Sequence, residues 1–275
     1  MKRWLLPRYQ GPKLAPFPFK DPVNPALTIS GYLGGGLHSH VFEAELDGKK
    51  YALKLFKFFD PWATPFKAQL KLGLITLEEV ASVCDPFNCE CRAYGRLKEV
   101  GREDLAIECH GYICLSPEQG AELADRGYDD WCRRDRHVRK PIMGIVKELL
   151  DPRRPHFTPK HYDRMRKDVT DRNALGIVVL DIRAENYIDG RLVDLSKAYV
   201  SPHPALDWDS TIVPRDMVQE FCTRDQLCFD EMMTDWNEAR PRSCSGAFYD
   251  WKQGARNVAR LSRTGSGHGP INKRQ

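Results

Sequence analysis

The sequence predicts an α+β protein of two lobes, an antiparallel β-rich N-lobe followed by a reduced helical C-lobe. Three observations carry that prediction. Short β-rich runs joined by tight turns fill residues 27 to 58, helical spacing and two more strand-like runs extend to 150, and helical spacing returns after a proline-rich connection at 151–159. With 275 residues the chain can bury a sizeable core. Its 41% hydrophobic and 29% charged residues are ordinary globular usage and exclude collagen, a coiled coil or wholesale disorder. Four segments are expected: a proline-rich N-terminal arm at 1–27, an N-lobe at 28–150, a C-lobe at 151–245, and a basic, largely disordered tail at 246–275.

Six prolines between Pro7 and Pro25 forbid a long regular element in the arm, which is expected to wrap on the rest of the chain. Strands follow at 27–33, 41–46 and 50–58, the last two joined by an Asp47-Gly48 hairpin turn. A proline-broken helical stretch at 61–83 precedes a helix at 88–100, which Gly101 terminates. Strands at 106–115 and 142–150 complete the sheet around a polar insertion at 117–139. Beyond the connection, a helix at 160–174 leads into short strands at 176–180, 184–188 and 191–195, the last two joined by Asp189-Gly190. Two further helices are expected at 215–228 and 229–238.

Forty-two basic against 38 acidic side chains leave a net charge of +4, too mild to demand nucleic acid or a membrane as partner. The basic runs at 133–140, 153–167 and 252–274 are expected to be solvated surface. No apolar run reaches the roughly 20 residues of a membrane span, and Pro7 interrupts the N-terminus before a signal-peptide core develops. A soluble, intracellular protein is expected. Nine scattered cysteines, an odd number, predict reduced thiols. Cys84, Cys89 and Cys91 lack the paired C-x-x-C of a zinc ribbon, so small apolar roles suffice for them.

Four separated features bear on chemistry, because phosphoryl transfer needs a phosphate cradle, a strand lysine, a helix carboxylate, a base and metal ligands. Gly34-Gly35-Gly36-Leu37-His38-Ser39-His40-Val41 lies between two strands as G-x-G-x-x-S-x-V. There Gly34, Gly36 and Ser39 would let backbone amides approach phosphate, and Val41 would start the strand under a base. Thirteen residues later, Tyr51-Ala52-Leu53-Lys54-Leu55 sets Lys54 in an apolar strand. Glu90 sits on the helix expected beside it. Asp181-Ile182-Arg183-Ala184-Glu185-Asn186 then gives D-x-x-x-x-N, followed by Asp194-Leu195-Ser196 after a hairpin. In that reading Asp181 is the base, Arg183 neutralises the transferring group, and Asn186 and Asp194 hold Mg²⁺. His38 and His40 are expected to be solvated loop residues. Phe56, Phe58, Phe59 and Trp62 are expected to pack the sheet against the following helix.

The ordered motifs resemble the protein-kinase-like superfamily. More narrowly, GYLGGGLHSHVFEAELDGKKYALKLFKF, DPFNCECRAYGRLKEVG and LDIRAENYIDGRLVDLSKA resemble the fungal kinetochore Sim-complex subunit Fta family. The resemblance implies a two-lobed kinase-like fold that binds ATP with Mg²⁺ and transfers the γ-phosphate to a protein or small-molecule hydroxyl. It also implies a nuclear setting, with kinetochore or centromere proteins as partners and no direct contact with nucleic acid or membrane. The alternative is a non-catalytic pseudokinase scaffold or interaction module, bound through the arm and the basic helix at 160–172. A small-molecule phosphotransferase is a third reading, with Asp207, Asp209, Asp225, Asp230 and Glu231 available for a pocket. Several departures weigh against peptide phosphorylation. Val179-Leu180 replaces the His-Arg before the base, Asp-Leu-Ser replaces Asp-Phe-Gly, the Lys54–Glu90 interval is long, and no Ala-Pro-Glu segment follows.

Overall fold

The computed structural model describes residues 11–151, 153–206 and 215–238. The fold is α+β, built on a five-stranded antiparallel sheet with several helices. Strands β1 (Leu27–Gly35), β2 (Ser39–Leu46) and β3 (Lys49–Phe56) form a meander. Asp47 and Gly48 turn β2 into β3 with φ of 51° and 83°, the paired positive angles of a two-residue hairpin loop. With β4 (Cys109–Leu115) and β5 (Ile142–Lys147), the sheet order is β1-β2-β3-β5-β4.

Alternation along the strands separates two faces. Leu53 and Leu55 of β3 and Val146 of β5 join Phe42, Ala44, Leu46, Leu115 and Trp131 in an apolar core on one side. Lys54, between the two leucines, lies on the other side. There packs α3 (Pro86–Glu99), whose Asp85 cap accepts the Phe87 N–H at 3.0 Å and whose first residue is Pro86, as suits a helix start.

Between β3 and α3 the expected broken helix is two short ones, α1 (Lys67–Lys71) and α2 (Leu77–Cys84). A capping box formed by Thr76 and Glu79 opens α2. These helices enclose a small core of Phe66, Leu70, Ile75, Val80 and Val83. Phe56 does pack edge-on to Phe87 of α3, but Phe58 instead stacks on His137 at 4.7 Å, and Trp62 is 39% exposed. The insertion expected to be merely polar contains α4 (Pro117–Asp125), with Leu123 and Trp131 both buried in the main core.

The described part of the arm wraps as expected and covers the β4 edge. Phe17 N–H donates to Tyr112 O at 2.8 Å and Tyr112 N–H to Ala15 O at 3.1 Å. Gly111, at φ 134°, makes that approach possible, because a Cβ there would meet Phe17 N at 2.7 Å. An edge strand is thereby closed to other chains.

Beyond 151, α5 (Tyr162–Ala174) precedes the short strands β6 (Ile177–Val178), β7 (Tyr187–Ile188), β8 (Arg191–Leu192) and β9 (Tyr199–Val200). β7 and β8 make the expected hairpin at Asp189-Gly190, while β9, unforeseen, pairs with β6. The two expected C-terminal helices are one, α6 (Arg215–Glu238), because no glycine or proline interrupts it. The chain divides into compact units Met1–Cys228 and Phe229–Gln275. Asp207, Asp209 and the tail at 246–275 lie outside the described residues. No described helix is long and apolar enough to cross a membrane.

Candidate functional site

Strand register brings the first charges together. Lys54 of β3 is opposite Ile145 of β5, and Ala52 opposite Lys147, so Lys54 and Lys147 share a face as diagonal neighbours. That face meets α3 at Glu90. Lys54 Nζ is 2.9 Å from Glu90 Oε2 and 2.8 Å from Asp194 Oδ1. Lys147 Nζ pairs with Glu90 Oε1 and donates to Val193 O at 2.8 Å. Lys54, Glu90 and Lys147 are all buried, and Asp194 is half-buried.

Such a cluster survives burial only because each charge has an opposite. Burial alone would lower the Lys54 pKa, yet Asp194 and Glu90 outweigh it and hold the ammonium above its ordinary value. Burial would likewise raise the Asp194 carboxyl. Lys54, Lys147 and the Ser196 N–H, which donates to Oδ1 at 2.8 Å, instead hold it far below the usual carboxylate range. An ammonium has three N–H donors, and the two carboxylates beside Lys54 Nζ leave one for a further acceptor.

Asp181 is paired with cations of its own. Its Oδ2 is 3.1 Å from Arg183 Nη2 and 3.5 Å from Lys197 Nζ. Asn186, buried at the end of a single 3-10 turn (Ala184–Asn186), donates its side-chain N–H to Asp181 O at 2.7 Å and accepts the Val193 N–H on its backbone carbonyl. The β7–β8 hairpin is thus extended by a bond that holds Asn186 beside Val193, the neighbour of Asp194.

Asp225 of α6 fixes the backbone leading into Asp181. It accepts Val179 N–H at 2.7 Å, Leu180 N–H at 2.9 Å and Asn173 Nδ2 at 3.0 Å. Leu180 has φ 61°, which a non-glycine residue adopts only when its surroundings impose it. Asp225 is buried against backbone, which removes it from any acidic pocket. Burial raises its carboxyl above the ordinary value against the pull of those three donors.

The β1–β2 hairpin carries the glycines, and His38 at its turn is the residue that lies within the field of the site. An added Cβ at Gly34 or Gly36 would meet nothing within 4 Å, so the turn is uncrowded at both positions. Gly36 N–H donates to Ser39 O, Ser39 is buried, and Val41 pairs with Gly34 on one side and Lys54 on the other. The two histidines are not solvated. His38 is half-buried within the field of Lys197, Asp194, Lys54 and Asp181, and burial first, then Lys197, lowers its pKa. His40 Nε2 lies 3.1 Å from Asp130 O, with its ring edge-on to Trp131.

Lys147, Lys197 and the anchoring part of Asp225 escaped sequence reasoning. Lys147 had one signal, a lone cation ending the apolar run Ile142–Val146. Buried thiols fill the back of α3: burial pushes Cys89 and Cys91 well above the ordinary thiol value, as apolar packing roles require. The basic run at 133–140 is partly structural, with Arg133 donating to the carbonyls of His137, Val138 and Lys140 and Arg134 paired to Asp60 at 2.7 Å.

No curated protein matches the chain. One family does, and it is a family of kinetochore complex subunits, which implies a nuclear, kinetochore location and partners within that complex. Over residues 3–199, well over half of the sequence and the span that holds Lys54, Glu90, Asp181, Asn186 and Asp194, the match is to kinetochore Sim4 complex subunit FTA2, and the chain belongs to that family.

Proposed function

We propose that this kinetochore subunit has a two-lobed kinase-like fold and binds Mg-ATP at the Lys54–Glu90–Asp194 cluster. One observation carries the reading: Lys54, Glu90 and Asp194, from three segments remote in sequence, meet in the charge pairing that phosphoryl transfer needs, and the hairpin leading to Asp194 is bonded back to Asn186. The residues fit the ligand. Lys54 presents a buried ammonium that can turn toward phosphate oxygens, Gly34 and Gly36 leave open space at their turn, and Asn186 and the ionised Asp194 are oxygen ligands suited to Mg²⁺. ATP, when bound, would supply the phosphoryl group. Asp181 would accept the proton of an acceptor hydroxyl, and Arg183 would neutralise charge developing beside it.

A second reading, an interaction module in the kinetochore assembly, is favoured by the insertion between β3 and α3. Trp62, Leu72, Leu74 and Leu77, from 39% to 72% exposed, crowd this short stretch. Calorimetry with Mg-ATP on the wild type, Lys54→Ala and Asp194→Ala separates the readings. Micromolar binding lost in both variants supports the nucleotide site, whereas no heat at millimolar Mg-ATP leaves the interaction module.

A further inference from the structure

We propose that Lys147 is a positioning residue that locks α3 to the Val193–Asp194 backbone, so that the cluster is assembled before any ligand arrives. Its functional meaning rests on the nucleotide-site reading; its geometry does not.

Lys54 cannot by itself neutralise both Glu90 and Asp194, yet it lies within ion-pair distance of each. The second buried cation completes the balance at two lysines to two carboxylates, which is the condition for keeping such groups out of water. Lys147 is placed to do this by sheet register, one diagonal from Lys54 on the same face. From β5 its ammonium reaches two other segments, α3 and the backbone at Val193. It pairs with Glu90 on α3, donates to Val193 O at 2.8 Å beside the metal-ligand position, and lies 5.3 Å from the centre of the Tyr94 ring, one helical turn from Glu90.

A helix carboxylate held by one lysine alone can swing away when that lysine takes a phosphate instead. Here Glu90 keeps a partner whichever way Lys54 turns. Lys54 is released for a ligand without loss of the helix position, and α3 has no ligand-driven inward step to make. The sequence is consistent with a site not switched by loop phosphorylation: Leu180 stands before Asp181, so no basic side chain is there to receive a phosphate.

Amide hydrogen exchange on the full chain tests this. In the ligand-free wild type, amides of residues 90–97 should be protected as strongly as those of β5. Lys147→Met should speed exchange at 90–97 and 194–196 at least tenfold relative to β5, and Mg-ATP should restore the protection, which a residue of merely local structural importance would not show. Glu90→Gln combined with Lys147→Met leaves the Lys54–Asp194 pair balanced. It keeps the test decisive if Lys147→Met alone fails to fold, and should show the same tenfold loss at 90–97. Wild-type α3 gaining tenfold protection on addition of Mg-ATP, or variants retaining wild-type α3 protection, would overturn the lock. If the wild type binds no Mg-ATP, the nucleotide reading fails by itself and the ligand-free comparison still decides the role of Lys147.

Discussion

Two charged regions of the molecule obey different physics. In the inner one, the side chains of Lys54, Glu90 and Lys147 are at most 5% exposed, and in the outer one Asp181, Arg183 and Lys197 are 20%, 58% and 41% exposed. Pair distances are similar. Attraction in the interior acts through a low dielectric and must repay desolvation, so each inner charge is held by more than one partner and from more than one element. Water and salt screen the outer trio, which is free to rearrange around whatever arrives. The inner region therefore fixes architecture, and the outer one is where chemistry could respond to a ligand. Asp194, half-buried, belongs to the inner region through Lys54.

The largest effect should come from Glu90→Ala, which strands the buried Lys147 ammonium and leaves Asp194 as the one carboxylate beside two buried lysines. Breaking a buried pair by removing one partner costs about 3–5 kcal/mol, to be seen as a lower urea midpoint with an unchanged m-value. A loss under about 1 kcal/mol would mean that the inner cluster is wet and that its distinction from the outer trio is false. Next is Asp225→Ala, expected to cost about 3 kcal/mol, since each of three donors loses its acceptor and an unsatisfied buried donor costs about 1–3 kcal/mol. The same variant should release Leu180 from its left-handed conformation, visible as shifted amide resonances at 179–181.

His203 gives a pH-dependent test away from both clusters. Buried, stacked on Tyr199 at 4.0 Å and 3.3 Å from Val83 O, it has its pKa lowered to about 3, by burial above all. The unfolded chain takes the proton near pH 6.5, so the stabilising contribution is complete above that pH and is lost as pH falls toward the folded value. About 2 kcal/mol should disappear between pH 8 and pH 5. His203→Gln should remove that slope from the difference between the two stability curves, and parallel curves would show that His203 protonates freely in the folded state.

Residues with a periodic or punctuated pattern were legible in the sequence; residues whose role depends on what crosses over them were not. The β1–β2–β3 meander followed from alternation and an Asp-Gly turn, and α3 from spacing and Gly101, so Lys54 and Glu90 could be placed side by side before any coordinates. Lys147 could not, because its meaning depends on a β3–β5 register that no local signal sets. Asp225 looked like one acid among several on a polar helix, and only the path of residues 179–180 turns it into a backbone anchor. His38 looked exposed because a glycine-rich turn gives no sign of what it folds over. The division of α6 failed for a simpler reason: nothing in 215–238 breaks a helix.

The smallest stability effect should fall on the outer trio. Arg183→Ala and Lys197→Ala remove solvent-exposed partners of Asp181, and exposed pairs are worth about 0–1 kcal/mol, so thermal midpoints should move by only a few degrees at most. Under the nucleotide-site reading their effect on ligand should be much larger than on folding. Each cation lies beside the carboxylate where charge would develop, and removing it should weaken Mg-ATP binding or turnover at least tenfold, with a dependence on ionic strength that the buried Lys54 does not share. Equal losses of stability and ligand response in Arg183→Ala would show that the outer cations belong to the architecture after all. No change in either would leave Asp181 with no role beyond its backbone bond to Asn186.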